Sequence, residues 1–266
     1  MKGVILAGGT GTRLFPLTKV TNKHLLPVGN EPMIFNPIKQ LISAGITDIL
    51  IITSTSHMGD IVQLLGSGKE FGCEFTFKVQ EEAKGIAHAL SLAEHFVGNY
   101  SLVVILADNI LTHSIRPHVE AYKNQLGRAR VLLKKVGDPE RYGVAALDEK
   151  RKMIVEIEEK PKQPKSSYAV IGVYMYDSSV FDIIRTIKPS NRGELEISDV
   201  NNEYVKQNQL TYAILEGEWT DAGTLESLQY ANQLLSTIKN EIQMGKDEIQ
   251  IKDEVKKEGE YASPVQ

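Results

Sequence analysis

Gly8, Gly9 and Gly11 follow a short apolar run, Val4-Ile5-Leu6-Ala7, and stand just ahead of two cations, Arg13 and Lys23. Glycines behind a strand leave backbone N–H groups bare, and bare N–H groups beside fixed positive charge grip an anion. The segment Gly8-Gly9-Thr10-Gly11-Thr12-Arg13 therefore reads as a polyphosphate loop. Two familiar loops are excluded. A dinucleotide fingerprint needs glycine where Leu14 stands, and an ATP-type loop needs Gly-Lys-Ser/Thr where Gly11-Thr12-Arg13 stands. The plainer alternative is a flexible turn after an N-terminal strand; the nearness of Arg13 and Lys23 favours the anion grip.

Acidic groups supply a second chemistry. Asp108 closes the uniformly apolar run Leu102-Val103-Val104-Ile105-Leu106-Ala107. An acid at the carboxyl end of a buried strand is placed to hold Mg²⁺ on a phosphate, because hard cations prefer carboxylate oxygen. An ordinary turn-capping aspartate is the alternative. Asp221, in Trp219-Thr220-Asp221-Ala222-Gly223-Thr224, is either a second carboxylate for that metal or a turn residue before a helix. Glu158-Glu159-Lys160-Pro161 would present a carboxylate suited to hydroxyls beside an ammonium suited to a phosphate monoester, unless it is a solvated charged loop. Arg141-Tyr142-Gly143 and Gly193-Glu194-Leu195-Glu196 are polar loops with no unique reading. The six histidines show no metal-ligand spacing and no Gly-x-Ser-x-Gly elbow is present, so neither histidine-metal hydrolysis nor serine acyl transfer is supported.

The elements that must position these groups are legible in outline. Val4–Ala7, Ile49–Thr53, Phe75–Val79 and Leu102–Leu106 read as strands, and uniformly apolar short strands imply a sheet covered on both faces. Between them, Met33–Ala44, Met58–Leu65 and Ile86–His95 have helical spacing, and Pro117 suits the first turn of a helix running to about Asn124. Alternating strands and helices predict an α/β fold with a mainly parallel sheet between two helical layers. The second half is richer in strands: Val131–Val136, Val144–Leu147, Ile154–Glu158, Ala169–Tyr176 and Leu210–Leu215, with helices at Ser179–Ile187 and Ser198–Lys206. A mixed sheet with a strand-rich insertion over the site is the economical picture. From Lys239 the chain is dense in lysine and glutamate and reads as a charged helical end, with a frayed tail at Gly259–Gln266.

Composition narrows the class. With 266 residues the chain can bury a large core, and a formal net charge of −4 argues against a nucleic-acid partner. Cys73 is the single cysteine, which excludes an intramolecular disulfide or a cysteine cluster and suggests small core filler. Nothing approaches a membrane span or a signal-peptide core, so no membrane partner and a cytoplasmic location are expected.

Taken in order, Leu6–Leu14, Lys23-His24-Leu25-Leu26-Pro27, Gln80 with Gly85, Ala107-Asp108-Asn109, Tyr142-Gly143-Val144, Glu158–Pro161, Gly193–Val200 and Trp219–Thr224 resemble the sugar-phosphate nucleotidyltransferase family. The resemblance spans residues 1 to about 236. It implies a Rossmann-like three-layer fold in one domain over residues 1–240, with a nucleotide-binding part to about 130, a sugar-phosphate part from 131 to about 225, and the charged segment 241–266 beyond. It implies transfer of a nucleotidyl group from dTTP to α-D-glucose 1-phosphate with release of pyrophosphate. A UTP-using relative and a silent nucleotide-sugar-binding protein are the alternatives. Residue by residue, it implies that the backbone of Gly8, Gly9, Thr10, Gly11 and Thr12 holds the triphosphate with Arg13, and that Leu6 and Ala7 also contact the nucleotide. Gln80 and Gly85 would face the base, and Lys23 the transferred phosphate. Asp108 and Asp221 would bind Mg²⁺, while Asn109, Tyr142, Gly143, Glu159, Lys160 and Val170 would take the sugar phosphate. Arg13, Lys23, Asp108 and Lys160 would be the catalytic set, and the small-molecule enzyme would assemble as a homo-oligomer. The chain departs from the family pattern at His24, at Ala107 and through Glu81-Glu82-Ala83-Lys84.

Overall fold

The computed structural model describes residues 1–237; the charged segment 241–266 and its tail lie outside the described residues. The chain forms β1 (Lys2–Ala7), β2 (Pro27–Val28), β3 (Glu31–Pro32), β4 (Asp48–Ser54), β5 (Glu74–Gln80), β6 (Leu102–Leu106) and β7 (Asn109–Leu111). It continues through β8 (Ala129–Lys135), β9 (Gly143–Asp148), β10 (Met153–Glu159), β11 (Tyr168–Tyr176), β12 (Leu210–Ile214) and β13 (Trp219–Asp221). Nine of these make one sheet with the path β10-β9-β11-β6-β1-β4-β5, and β8 pairs β11 and β12.

Because side chains alternate along a strand, a run apolar at every position must be covered twice. Val4 and Leu6 of β1 join a core with helices Ile86–Ser91, Val180–Thr186 and Ile197–Lys206. Ile5 and Ala7 join the opposite core, under helices Phe35–Ser43, Met58–Leu65 and Arg116–Lys123. Three layers result, as expected.

Details differ from the sequence expectation for local reasons. The helix expected over Ile86–His95 is two, Ile86–Ser91 and Glu94–Val97. Ser91 Oγ donates back to the His88 carbonyl at 2.8 Å, and Leu92 and Ala93 bond three residues back, which tightens and ends the first helix. Cys73 is half-buried, its Sγ donating to the Gly68 carbonyl at 3.6 Å, and so belongs to a turn beside the core. The strand-rich half extends the sheet, making it mixed as expected, and its strands line the cavity described below. β11 pairs antiparallel with β6 through Val173–Tyr176 and with β9 at Ala169 and Val170. The last strand, β10, is an edge that Asn202 blunts, accepting from Ile157 N at 2.9 Å and donating to Ile157 O at 2.7 Å. Among the described residues no helix is long and apolar enough to cross a membrane.

Candidate active site

The parallel part of the sheet runs β6-β1-β4-β5. From β1 the chain moves outward to β4 and β5, then returns to the other side of β1 as β6. The order therefore reverses between β1 and β6, and crevices form at such points beyond the carboxyl ends of strands. Gly8 leaves β1 there, and Asp108 leaves β6 there. A cavity of roughly 330 Å³ opens between them.

One wall is nearly continuous in sequence. Leu6, Gly8, Gly9, Arg13, Lys23 and His24 line it, with Gln80, Ala83, Gly85 and Asp108. Gly8 is required by its neighbour, since a Cβ there would sit 2.8 Å from Gln80 Oε1. Gln80 is oriented in turn by His88, whose Nδ1 lies 3.0 Å from Gln80 Nε2. Lys23 stands on a short turn, Lys23–Leu25, that Asn22 initiates by accepting from His24 N at 2.8 Å. Lys23 Nζ donates to Asp108 Oδ2 at 2.6 Å, the two side chains being 13% and 14% exposed. Burial works against the Asp108 carboxylate. The Lys23 ammonium, joined by hydrogen bonds from Lys23 and Asn109, overrides it and holds the acid well below the usual range. His24, 1% exposed, is pushed by burial and then by Lys23 to about 3, so it stays neutral.

The other wall is assembled from distant segments: Arg141, Tyr142 and Gly143 from the start of β9, Glu159 and Lys160 from the end of β10, Val170, Gly172 and Tyr174 from β11, Ser198 from a helix, Trp219 and Asp221 from β13. Gly143 and Glu159 are paired across β9 and β10. Ser198 Oγ donates to Glu159 Oε2 at 2.6 Å, in space that a Cβ at Gly143 would enter at 2.9 Å from Ser198 Oγ and 3.4 Å from Glu159 Oε2. Lys160 has φ of 45°, left-handed for a residue with a side chain, and its N–H donates to the Tyr142 carbonyl at 2.9 Å. Strained backbone of this kind is retained where a side chain must be aimed, and here it turns Lys160 out of β10 beside Glu159. Gly172 sits where the pairing of β11 with β8 breaks between Val170 and Tyr174. Its N–H donates to Asn109 Oδ1 at 2.9 Å, and a Cβ would collide with Asn109 Nδ2 at 2.6 Å.

Asp221 stands opposite Asn109 across the β13–β7 pair, which brings it beside Asp108. Burial and then the like charge of Asp108 push its carboxyl above the usual range, while Arg141, the Tyr142 hydroxyl and Arg13 pull it back. The two carboxylates share one cavity. No group of three or more potential metal ligands from His, Cys, Asp or Glu occurs among the described residues. Two carboxylates suit a hard cation that takes its remaining ligands from phosphate and water.

Most of the residues singled out from the sequence thus meet at one cavity. Ala7, Thr10, Gly11 and Thr12 are not part of its wall, and Ala7 is fully buried. Asn109 lines the cavity, yet its amide is engaged by Asp108, Gly172 and, at 2.7 Å, Trp219 Nε1, so it braces the site. Tyr142 gives its hydroxyl to Asp221 Oδ1 at 3.0 Å. Sequence reasoning did not assign Gly172, Tyr174 or Ser198, nor Arg192, which is 3.5 Å from Glu159 and 2.8 Å from Glu196. Only the Gly193–Glu196 polar loop hinted at the last.

The nucleotidyl transferase family model matches residues 2–237. The chain belongs to that family. This nucleotidyl transferase is 42% identical over 243 residues to a glucose-1-phosphate thymidylyltransferase from Neisseria meningitidis, covering 90% of this chain and 84% of the relative. Among solved structures it is similar to a Bacillus anthracis protein assigned as a glucose-1-phosphate thymidylyltransferase, in complex with sucrose. That match has a TM-score of 0.84 and 61% identity, covering 88% of this chain and 94% of the other. A UDP-glucose pyrophosphorylase complexed with UDP-glucose aligns with a TM-score of 0.79 at 26% identity, over 89% and 98% of the two chains. The nucleotidyl transferase thus has the mixed, mainly parallel sheet of its structural neighbours.

Proposed function

We propose that this nucleotidyl transferase joins a thymidylyl group from dTTP to α-D-glucose 1-phosphate, releasing pyrophosphate and dTDP-glucose. The observation that carries the reading is the pairing of Lys23 with Asp108 at the switch point, between the Gly8–Arg13 loop and the Glu159-Lys160 pair. The thymidylyltransferase names of the relatives above favour dTTP over the UTP alternative.

The reaction asks for little covalent chemistry from the protein. An oxygen of the sugar phosphate attacks the α-phosphorus in line, the P–O bond to the β-phosphate breaks, and pyrophosphate carries away that electron pair. The attacking oxygen is already ionised near neutral pH, so no general base is needed. What must be overcome is repulsion between two anions. In this reading Gly8, Gly9 and Arg13 hold the triphosphate, Gln80 and Gly85 face the base, and Lys23 neutralises charge at the transferred phosphate. Lys160 takes the sugar's phosphate, and Glu159, steadied by Ser198, takes sugar hydroxyls. Asp108 and Asp221 would hold Mg²⁺, which when bound supplies positive charge at the phosphate oxygens. A cytoplasmic location, assembly as a homo-oligomer, and the division near residue 130 into nucleotide and sugar parts belong to the same reading.

Purified protein given dTTP, glucose 1-phosphate and Mg²⁺ should release pyrophosphate, and kcat/KM should be higher with dTTP than with UTP at fixed glucose 1-phosphate. Release with neither nucleotide would overturn the reading. A preference for UTP would replace it with uridylyl transfer.

A further inference from the structure

The backbone of Asp221 is tied to the nucleotide wall, but its carboxylate is not. Ala222 N donates to the Asp108 carbonyl at 2.8 Å, which fixes the chain at this point. The carboxylate is gripped from the opposite wall. Its Oδ1 accepts from the Tyr142 hydroxyl at 3.0 Å and from Arg141 at 3.3 Å. The Arg141 guanidinium is held in turn, donating to Asp138 Oδ2 at 2.7 Å and lying 5.2 Å from the centre of the Tyr142 ring. The Tyr142 ring meets Trp219 edge-on at 5.4 Å. The grip therefore has few free torsions, and it leaves Asp221 Oδ2 without a hydrogen bond among the described residues. A side chain added at Gly223 would lie 3.2 Å from that oxygen and 3.0 Å from Arg13, so Oδ2 faces the triphosphate loop's own cation.

We infer that Arg141, acting with Tyr142, is a positioning residue that fixes the Asp221 carboxylate with Oδ1 held and Oδ2 presented to the cation on the triphosphate. The inference rests on the Mg²⁺ reading above. A freely rotating aspartate beside Asp108 would turn away from the like charge. Two donors on one oxygen remove that freedom and neutralise part of the charge before the cation arrives. Groups that orient a metal-binding carboxylate in this way are commonly worth about 10- to 100-fold in metal affinity. Tyr142 then bears on the sugar only indirectly, through the wall it shares with Gly143.

The test is the factor by which Mn²⁺ tightens dTTP binding to the full-length protein without sugar phosphate, taken from equilibrium dialysis with Mn²⁺ and with EDTA. Asp221→Asn calibrates it and should abolish most of the factor. Arg141→Met should lower the factor about tenfold or more, and Tyr142→Phe, which removes one hydroxyl and little packing, should lower it less. A fall with both variants supports the inference. If Asp221→Asn lowers the factor while Arg141→Met and Tyr142→Phe both keep it, the positioning role is overturned and the metal reading stands. If Asp221→Asn leaves it unchanged, Asp221 is no ligand and both fall. Should Arg141→Met fail to fold, Arg141→Lys and Tyr142→Phe decide: an unchanged factor in both overturns the role. A rise confined to the KM for glucose 1-phosphate would return Tyr142 to the sugar.

Discussion

The two walls of the cavity are built in opposite ways. The wall on the Gly8 side comes largely from one loop and the ends of parallel strands, with cations and glycines within 16 residues of one another, Gly8 to Lys23. The facing wall is gathered from segments spread between Arg141 and Asp221, brought together by antiparallel pairing and by hydrogen bonds such as Ser198 to Glu159. Local backbone conformation shapes the first wall, and tertiary packing shapes the second. Among the bonds that join them, Leu195 N donates to the Lys84 carbonyl at 2.8 Å and Ala87 N to the Leu195 carbonyl at 3.1 Å, both beside Gly85.

The contrast can be broken first at the Lys23–Asp108 pair, which in the proposed reaction acts on both substrates. Asp108→Asn should lower kcat/KM for dTTP and for glucose 1-phosphate alike by about 10²- to 10³-fold, the usual cost of losing one preorganised charge at a reacting phosphate or oxyanion. A selective loss for one substrate would place Asp108 on a single wall. Gly85→Ala attacks the bonds that join the walls. Gly85 has φ of 98°, and a Cβ would stand 2.5 Å from the Leu195 carbonyl oxygen. Thermal denaturation should show a loss of about 1–3 kcal/mol, with KM rising for both substrates. Ser198→Ala should stay on one side: a single hydrogen bond to a charged carboxylate is worth about 1.5–3 kcal/mol, so KM for glucose 1-phosphate should rise about tenfold or more with KM for dTTP unmoved.

The smallest effect concerns pH. The folded carboxyl of Asp108 lies below its unfolded value, so its contribution to stability is full above about pH 4 and is lost only as pH falls through the lower folded value. Urea melts of Asp221→Asn and of the Asp108→Asn, Asp221→Asn double variant, which lack the neighbouring acid that Asp108 pushes up, should therefore differ by a constant amount between pH 8 and 5. A difference that changed within that interval would mean that Lys23 does not hold the Asp108 carboxyl below its ordinary range.

How far the sequence reached follows the same division. Val4–Ala7 and Leu102–Leu106 declare a doubly covered parallel strand because every position is apolar. Gly8, Arg13 and Lys23 declare an anion grip because the needed atoms are close along the chain. Asn109 was legible as a residue near the site but not as a brace, since its partners Gly172 and Trp219 lie 63 and 110 residues away. Ser198 stands inside the Gly193–Val200 motif yet carried no role there, for a serine acquires one only from the carboxylate it meets.

The sequence by itself determined the layered α/β architecture, the glycine loop beside its two cations and the family, because apolar periodicity, glycine conformational freedom and ordered motifs are properties of the chain read in one dimension. Only the tertiary structure decided which acids face each other. Asp108 and Asp221 are distant in sequence, and they share a cavity because β13 pairs with β7 immediately after β6. At Asp108 the Lys23 ammonium overrides burial, whereas at Asp221 burial and the charge of Asp108 outweigh Arg141 and Tyr142. Electrostatic coupling depends on distance through space, and no spacing along the chain encodes it.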